Sequence, residues 1–312
     1  MAETFSVIIP NWNGLRFLPV CLGSLRAQTH LPLEVILADS ASSDGSLEFV
    51  RHEFPEVQVT AMPANRGFTG ACNAGIAQAR GDWVALLNQD AEADPRWLEE
   101  LACVAAAHPE AGGIACKILL ADRRDHLHSA GDGYRADGTG VNRGVWQKDE
   151  GQYDAEVEVF GPCGGAGAYR RRALDEVGRF DEGFFMYYDD VDLAWRLRLA
   201  GWPTPFAPRA IVYHYLTSGA GVTASYYGGR NTLWVLAKDV PGPLLRRHWR
   251  AILAAQWRIA CDALRAWRGA AARARLLGQL AGLLTWPSML PQRRAIQRSR
   301  RASIEYLESL LE

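Results

Sequence analysis

Apolar residues along this chain fall into short runs separated by helical stripes. Ser6–Pro10, Glu34–Asp39, Val57–Met62 and Trp83–Asn88 have the length and character of buried strands. Between them, Leu15, Leu18, Leu22 and Leu25, then Ser46–Phe54 and Thr69–Arg80, repeat at helical spacing, and Arg96–Ala107 continues the series behind Pro95. This alternation predicts βαβ units, hence an α/β fold with a Rossmann-like, mostly parallel sheet flanked by helices. The pattern holds through Gly113–Leu120. Ala121–Tyr153 then loses periodicity and predicts a long binding loop. Val157–Phe160 predicts a strand, Gly161–Gly167 a loop that lets backbone approach closely, Arg170–Val177 a short helix, and Ala210–His214 a strand ending on a histidine.

The stretch Gly178–Gly201 places Phe184, Phe185, Tyr187 and Tyr188 directly before Asp189, Asp190 and Asp192. Val191, Leu193, Ala194, Trp195, Leu197 and Leu199 follow and cover more than one helix face, so a largely buried helix with a polar mouth is expected. Asp189 is the expected N-cap and Asp192 a first-turn cap. The aromatics are expected to form an acceptor wall or a packed core.

From Pro241 the pattern changes. Trp249, Ile252, Leu253, Trp257, Ala260, Leu264 and Trp267 line one helical edge while Arg250, Arg258, Arg265 and Arg268 take the others. Leu276–Leu290 is apolar but too short to span a bilayer. The expected division is residues 1–238 as the catalytic unit and 239–312 as an amphipathic helical extension lying on a membrane; packing of that helix on the catalytic unit is the competing reading.

Charge sharpens this division. The net charge is −1, yet residues 239–312 carry 13 Arg against five acids, a charge of +8, which leaves −9 for residues 1–238. A basic, Trp-bearing extension on an acidic body predicts an anionic partner surface, the cytoplasmic face of a membrane, and no nucleic-acid motif accompanies it. Six cysteines lack a CxxC pair or metal spacing, which predicts free thiols in a reducing compartment. The start MAETFSVIIPNWNG lacks a basic leader and predicts a cytoplasmic protein. Self-association is a further arrangement that the chain leaves open.

Three strand ends carry candidate chemistry. Asp39 can accept a hydrogen bond from a ribose hydroxyl or a base. Asn88-Gln89-Asp90 ends a strand, and Asp90 beside a diphosphate suits Mg2+ or Mn2+, with His214 able to complete the site. A nicotinamide-dependent oxidoreductase would need a glycine fingerprint after the first strand, where this chain has PNWNG with one glycine.

Taken in order, SVIIPNWNG, ADSASSDGS, NRGFTGACNAGI, LLNQDAE, GAGAYRRRAL, FDEGFFMYYDDVDLAWRLRLAGW and VYHYLTSGAG resemble the GT-A domain of glycosyltransferase family two, especially its bacterial rhamnosyltransferase-like branch. The resemblance spans about residues 5–235. It implies a GT-A domain in which the PNWNG turn (Pro10, Asn11, Asn13) and Asp39 hold the nucleoside, with Asn65, Arg66, Gly67 and Asn88 near the donor. It makes Asp90 the metal-binding acid of a DxD-like motif, with His214 on the metal or diphosphate. Asp189–Asp190 stands where the family usually has Glu-Asp; Asp190 is implied as general base and Asp189 as its positioning neighbour. Arg230-Asn231 resembles a recurrent pair with no role derivable from the residues. The donor implied is dTDP-L-rhamnose and the acceptor a lipid-linked or cell-envelope glycan.

The residues fit that chemistry on their own terms. A diphosphate leaving group needs charge neutralisation rather than a protonating acid, and the acceptor hydroxyl needs one base. One base opposite one metal-held leaving group predicts a single displacement with inversion. A non-catalytic sugar-nucleotide or glycan-binding module at a membrane surface is the alternative, and two intact acids, Asp90 and Asp190, argue against it.

Overall fold

The computed structural model describes residues 3–155, 157–216 and 221–312. A nine-stranded sheet runs in the order β3 (Gln58–Ala61), β2 (Glu34–Asp39), β1 (Phe5–Asn11), β4 (Trp83–Leu87), β10 (Ala166–Arg170), β6 (Gly113–Leu120), β11 (Phe206–His214), β5 (Ala91–Ala93), with β7 (Leu127–Ala130) also on β6. β3, β2, β1 and β4 pair in parallel, as do β6 and β11. β10 is antiparallel to both neighbours and joins the two parallel halves.

Helices α1 (Leu18–Arg26), α2 (Ser46–Glu53) and α4 (Trp97–Ala107) stand where the sequence placed them, as does α3 (Gly67–Ile76), which starts two residues earlier than expected. One face of the sheet packs Val7, Ile9, Leu37 and Leu87 against Leu18, Leu22, Trp97 and Leu101. The other packs Ile8, Ile36, Val84 and Leu86 against Ala71, Ile76, Leu174, Leu193 and Leu197, from α3, α5 (Arg171–Val177) and α6 (Asp189–Leu199). Both faces are therefore buried, as a sheet of mostly parallel strands requires.

Three expectations change. Val157–Phe160 is not a strand; only the isolated bridge Glu158–Pro205 forms there. Ala166–Arg170, expected as glycine-rich loop and helix start, is the central strand β10. Its small residues are a packing requirement, because a side chain on Gly167 would meet Pro162 Cβ at 2.6 Å. The segment 121–153 contains β7 and the hairpin β8 (Asp132–Tyr134) and β9 (Gly140–Asn142).

Helix α7 (Val222–Lys238) was not anticipated. It packs on α9 (Ala270–Thr285) at the distance glycines permit: a Cβ on Gly278 would meet Tyr226 O at 2.1 Å, and one on Gly229 would meet Arg275 O at 2.6 Å. α8 (Gly242–Arg265) and α10 (Leu290–Arg298) complete this layer, and Trp267 lies past the end of α8. One core cluster joins Phe184, Trp195 and Trp234 to Leu244, Met289 and Leu307, so the helical extension shares packing with the preceding residues.

The direction of the strands places the chemistry. β1, β2, β4 and β11 all end on one edge of the sheet, where ligands of such sheets sit. β10 runs the other way, so the loop before it, Gly161–Gly165, reaches the same edge.

Candidate active site

At the ends of β1 and β2 a polar cluster is already assembled. Asn11 Nδ2 donates to Asp39 Oδ2 at 2.8 Å and Ser42 N donates to Asp39 Oδ1 at 2.9 Å. Asn13, at φ 51°, donates its N–H to Ser42 Oγ and accepts from Ser43 N. Pro10 is buried in register with Ala38. Gln89 clamps the turn from β4: its Oε1 accepts from Trp12 N at 2.7 Å and its Nε2 donates to Trp12 O at 3.2 Å. The buried Oδ1 atoms of Asn11 and Asn88 have no hydrogen-bond partner among the described residues. Orphaned buried acceptors in a cleft are costly unless a ligand donates to them.

Asn65 caps Gly67, whose N–H donates to Asn65 Oδ1 at 2.8 Å. Gly67 has φ +72°, and a Cβ there would lie 2.3 Å from Phe185 O, so only glycine lets α3 approach the aromatic run. Arg66 N donates to Ser40 Oγ, while its guanidinium is ion-paired with Glu182. The three residues thus sit between the end of β2 and the acidic segment. The Arg66 charge is already engaged.

Asp90 and His214 meet as expected from the strand ends. His214 Nε2 lies 3.1 Å from Asp90 Oδ1, both residues are buried, and Asn88 Nδ2 is 3.5 Å from the same nitrogen. Two ligands in adjacent positions of an octahedral ion with bonds of about 2.1 Å lie about 3 Å apart. The pair fits a divalent cation that also takes phosphate oxygens. His128, unassigned in sequence, packs its Nδ1 3.3 Å from His214 Nδ1, and burial pushes it down to about 3, so it is neutral.

A second group of donors lies nearby: Asp132, Cys163 and Asp190, with ligand atoms within 4.8 Å of one another. Burial and the Asp190 charge raise the Asp132 carboxyl well above the ordinary range, and burial raises the Cys163 thiol. Ligands must lose their protons to bind metal, so this group fits a cation less well than Asp90 and His214.

Asp190 Oδ2 accepts from Gly164 N at 2.8 Å, and its Oδ1 accepts from Val191 N. Burial raises its carboxyl above the ordinary value, against these stabilising bonds. The loop that holds it also backs the metal pair: Asn88 N donates to Gly165 O at 3.0 Å, and a Cβ on Gly165 would touch His214 Nδ1 at 3.2 Å. Gly164 and Gly165 therefore connect the two halves of the site.

The capping expectations need correction. The N-cap of α6 is Tyr188, at φ 63° with no side-chain cap; Asp189 is the first helical residue. Asp189 is buried, its Oδ2 has no hydrogen-bond partner among the described residues, and burial together with Asp190 and Asp192 raises its carboxyl well above the usual range. Its Oδ2 is a free hydrogen-bonding position among the described residues. Asp192 is no cap at all. It is fully buried and paired with Arg196 at 2.7 Å and with Lys238 of α7.

The Arg230-Asn231 pair acquires a role. Asn231 Nδ2 donates to the carbonyls of Phe184, Met186 and Tyr187, and Arg230 donates to those of Gly183 and Phe184. Phe185, Tyr187 and Tyr188 all have positive φ, a conformation costly for bulky residues. Asn231 holds the turn that costs this strain, and so sets where α6 begins. Of the aromatics, Phe184 packs in the core against Trp234, while Phe185 stacks on Tyr227.

The sheet, with a polar cluster, the Asp90–His214 pair and a buried acid on one edge, has GT-A architecture. Solved structures with this fold include GalNAc-T7 with UDP, GalNAc and Mn2+ (TM-score 0.68, 14% identity, covering 98% of this chain and 57% of that one). The mannosyltransferase PcManGT from Pyrobaculum calidifontis, in complex with GDP-Man and Mn2+, is another (TM-score 0.56, 17% identity, 99% and 84%).

The family model "Glycosyl transferase family 2" matches residues 6–178, and the chain belongs to that family. It is 30% identical over 242 residues to the N-acetylglucosaminyl-diphospho-decaprenol L-rhamnosyltransferase of Mycobacterium tuberculosis, covering 71% of this chain and 79% of that protein. It is also 29% identical over 255 residues to the pre-mycofactocin glycosyltransferase of the same organism, covering 77% of this chain and 49% of that protein. The chain is therefore a glycosyltransferase, which sets aside the non-catalytic module and the oxidoreductase.

Proposed function

We propose that this enzyme transfers L-rhamnose from dTDP-L-rhamnose to a lipid-linked glycan acceptor, with inversion, at the cytoplasmic face of the membrane. The observation that carries the reading is the Gly164–Gly165 loop, which touches Asp190 on one side and His214 with Asn88 on the other. Donor and acceptor groups are thereby held in one frame. The rhamnosyl donor and lipid-linked acceptor draw their support from the similarity to the N-acetylglucosaminyl-diphospho-decaprenol L-rhamnosyltransferase of Mycobacterium tuberculosis.

In this reading Asp39, Asn11 and Asn13 hold the nucleoside, and the orphaned Oδ1 atoms of Asn11 and Asn88 receive donors from it. Asn65, Arg66 and Gly67 border the donor. Asp90 and His214 would hold Mg2+ or Mn2+, and the ion would supply charge neutralisation at the diphosphate. Asp190 takes the proton from the acceptor hydroxyl as that oxygen attacks the anomeric carbon, the donor's glycosidic bond breaks, and the electron pair leaves with the nucleoside diphosphate. Asp189, whose carboxyl burial raises, orients the acceptor hydroxyl through its free oxygen. The division into 1–238 for chemistry and 239–312 for anchoring stays part of the proposal.

The anchoring surface is the outer face of α8 and α9, which pack together through Gln279 and Gln256. Trp257 is 72% exposed on one helix and Leu284 71% exposed on the other, with Leu253, Leu264, Leu277 and Leu280 between and beside them. Arg250, Arg265 and Arg268 flank these residues in sequence, while Arg258 pairs with Asp137. Among the described residues no helix is long and apolar enough to cross a membrane. Tryptophan with flanking arginine is the composition of an interfacial helix on anionic lipid. Flotation with vesicles containing anionic phospholipid should carry the protein upward, and the double variant Trp257→Glu, Leu284→Glu should float at least ten-fold less; equal flotation would remove this face as the anchor.

The reading as a whole is tested by transfer itself. With dTDP-L-rhamnose, a diphosphate-linked lipid acceptor and Mn2+, the acceptor should gain one rhamnosyl unit, and chelation should stop the reaction.

A further inference from the structure

Arg275 of α9 is half-buried against α7. Its Nη1 and Nη2 lie 3.0 and 3.3 Å from the position a Cβ on Gly228 would occupy, so α7 presents a bare backbone bed to the guanidinium. The most deeply buried cations have acids: Arg196 and Lys238 have Asp192, Lys117 has Asp149, and Arg198 has Glu158, whereas Arg143 and Arg293, half-buried like Arg275, have none among the described residues. Among the described residues Arg275 has neither a carboxylate partner nor a hydrogen-bond acceptor. The group of opposite tendency within electrostatic reach is the Tyr188 phenol. Burial lowers the Arg275 pKa, the mark of a cation that lacks compensation.

Tyr188 is itself placed for use. Gly140 N donates to its hydroxyl oxygen at 3.3 Å, which leaves the phenolic O–H available to donate elsewhere. The residue stands two positions before Asp190, in the left-handed turn held by Asn231. Around α9, Arg275 borders the stripe Ala274, Gly278 and Gly282 that faces α7, whereas Leu277, Leu280 and Leu284 project to the exposed side.

We propose that Arg275, the Tyr188 hydroxyl and the Gly228 bed form a subsite for the diphosphate through which the acceptor sugar is joined to its lipid. The subsite deepens the reading of a lipid-linked acceptor and rests on it. A planar guanidinium pairs with two phosphate oxygens at once, and the phenol supplies a third donor. The diphosphate of the nucleotide donor is a different group and is assigned to the edge carrying Asp90 and His214.

Two acceptors separate a phosphate subsite from a structural arginine: a sugar joined through diphosphate to a short prenyl chain, and the same sugar as an alkyl glycoside. Arg275→Gln should raise KM for the first by roughly ten- to a hundred-fold, the range of a lost charged hydrogen bond. KM for the alkyl glycoside, KM for the donor and the melting temperature should stay unchanged, and Arg275→Lys should fall between. An equal rise for both acceptors, or none for either, would overturn the subsite.

Binding of farnesyl diphosphate to the full chain, measured without donor, gives a readout that does not need turnover. It should weaken at least ten-fold in Arg275→Gln and persist in excess dTDP. Equal affinity in the variant, or displacement by dTDP, contradicts the proposal even if no acceptor is ever turned over. If binding follows the prediction while neither acceptor reacts, the subsite stands and the rhamnosyl-transfer reading fails.

Discussion

Asp190→Asn should reduce the turnover of glycosyl transfer by about 10²- to 10⁴-fold, the usual contribution of a positioned general base. The amide keeps the size of the side chain and can still accept from Gly164 N, which holds Oδ2 at 2.8 Å. What it loses is the capacity to take the acceptor proton. Binding of dTDP-L-rhamnose, assigned to the strand ends and to Asp90 with His214, should change little. The wild-type pH profile carries a matching sign: burial raises the Asp190 carboxyl, and activity needs it unprotonated. Turnover should therefore fall as pH drops, with its acid limb above the ordinary aspartate value, and Asp190→Asn should lose that limb. A variant with undiminished turnover would remove Asp190 as base.

The largest stability effect is expected at Asp192. Asp192→Ala should cost about 3–5 kcal/mol, because it leaves the buried Arg196 and Lys238 without the carboxylate that both contact. Lys238 would retain Asp181 at 2.6 Å, and Arg196 its bonds to the carbonyls of Val177 and Gly178, so partial compensation places the loss within that range rather than above it. Arg196 and Lys238 hold the Asp192 carboxyl below the ordinary value of about 3.9. A depressed folded-state pKa means that the stabilisation is complete above that value and disappears as pH falls through the lower one. Denaturant unfolding of Asp192→Ala at neutral pH reads the loss directly; a change under 1 kcal/mol would mean that the ion pairs contribute little net stability.

That residue also shows how far sequence reasoning reaches. The i, i+4 spacing of Asp192 and Arg196 is readable on a helix, but Lys238 comes from a helix 46 positions away whose existence was not legible. Tyr226-Tyr227-Gly228-Gly229 carries a glycine pair, which lowers helix propensity. The glycines are there because α9 packs on them, a tertiary reason invisible in a local window. The same holds for β10, whose Ala and Gly residues satisfy Pro162 and the neighbouring strands rather than any β propensity.

The parallel half of the sheet was legible for the opposite reason. Its strands are continuous apolar runs buried on both faces, and its turns carry the polar residues that ligands use. Asp39, Asp90 and His214 could be found from their strand-end positions alone. His128 and Asp132 could not, because HLHSAGDGY has no periodicity to place its side chains. The hairpin that brings Asp132 to Asp190 forms through long-range pairing. The three acids of α6 were recognised as a group, but the capping roles expected of Asp189 and Asp192 were wrong: Tyr188 is the N-cap, Asp189 is a buried first helical residue and Asp192 belongs to an ion network.

The most direct test of the account is product analysis of the wild-type enzyme with dTDP-L-rhamnose, a diphosphate-linked lipid acceptor and Mn2+. The account predicts a single rhamnosyl unit on the acceptor, joined with anomeric configuration opposite to the donor's, formed only with metal present and restored when Mn2+ is returned after chelation. Transfer that persists without metal, or a product retaining the donor's configuration, would contradict a single displacement between Asp190 and a metal-held diphosphate.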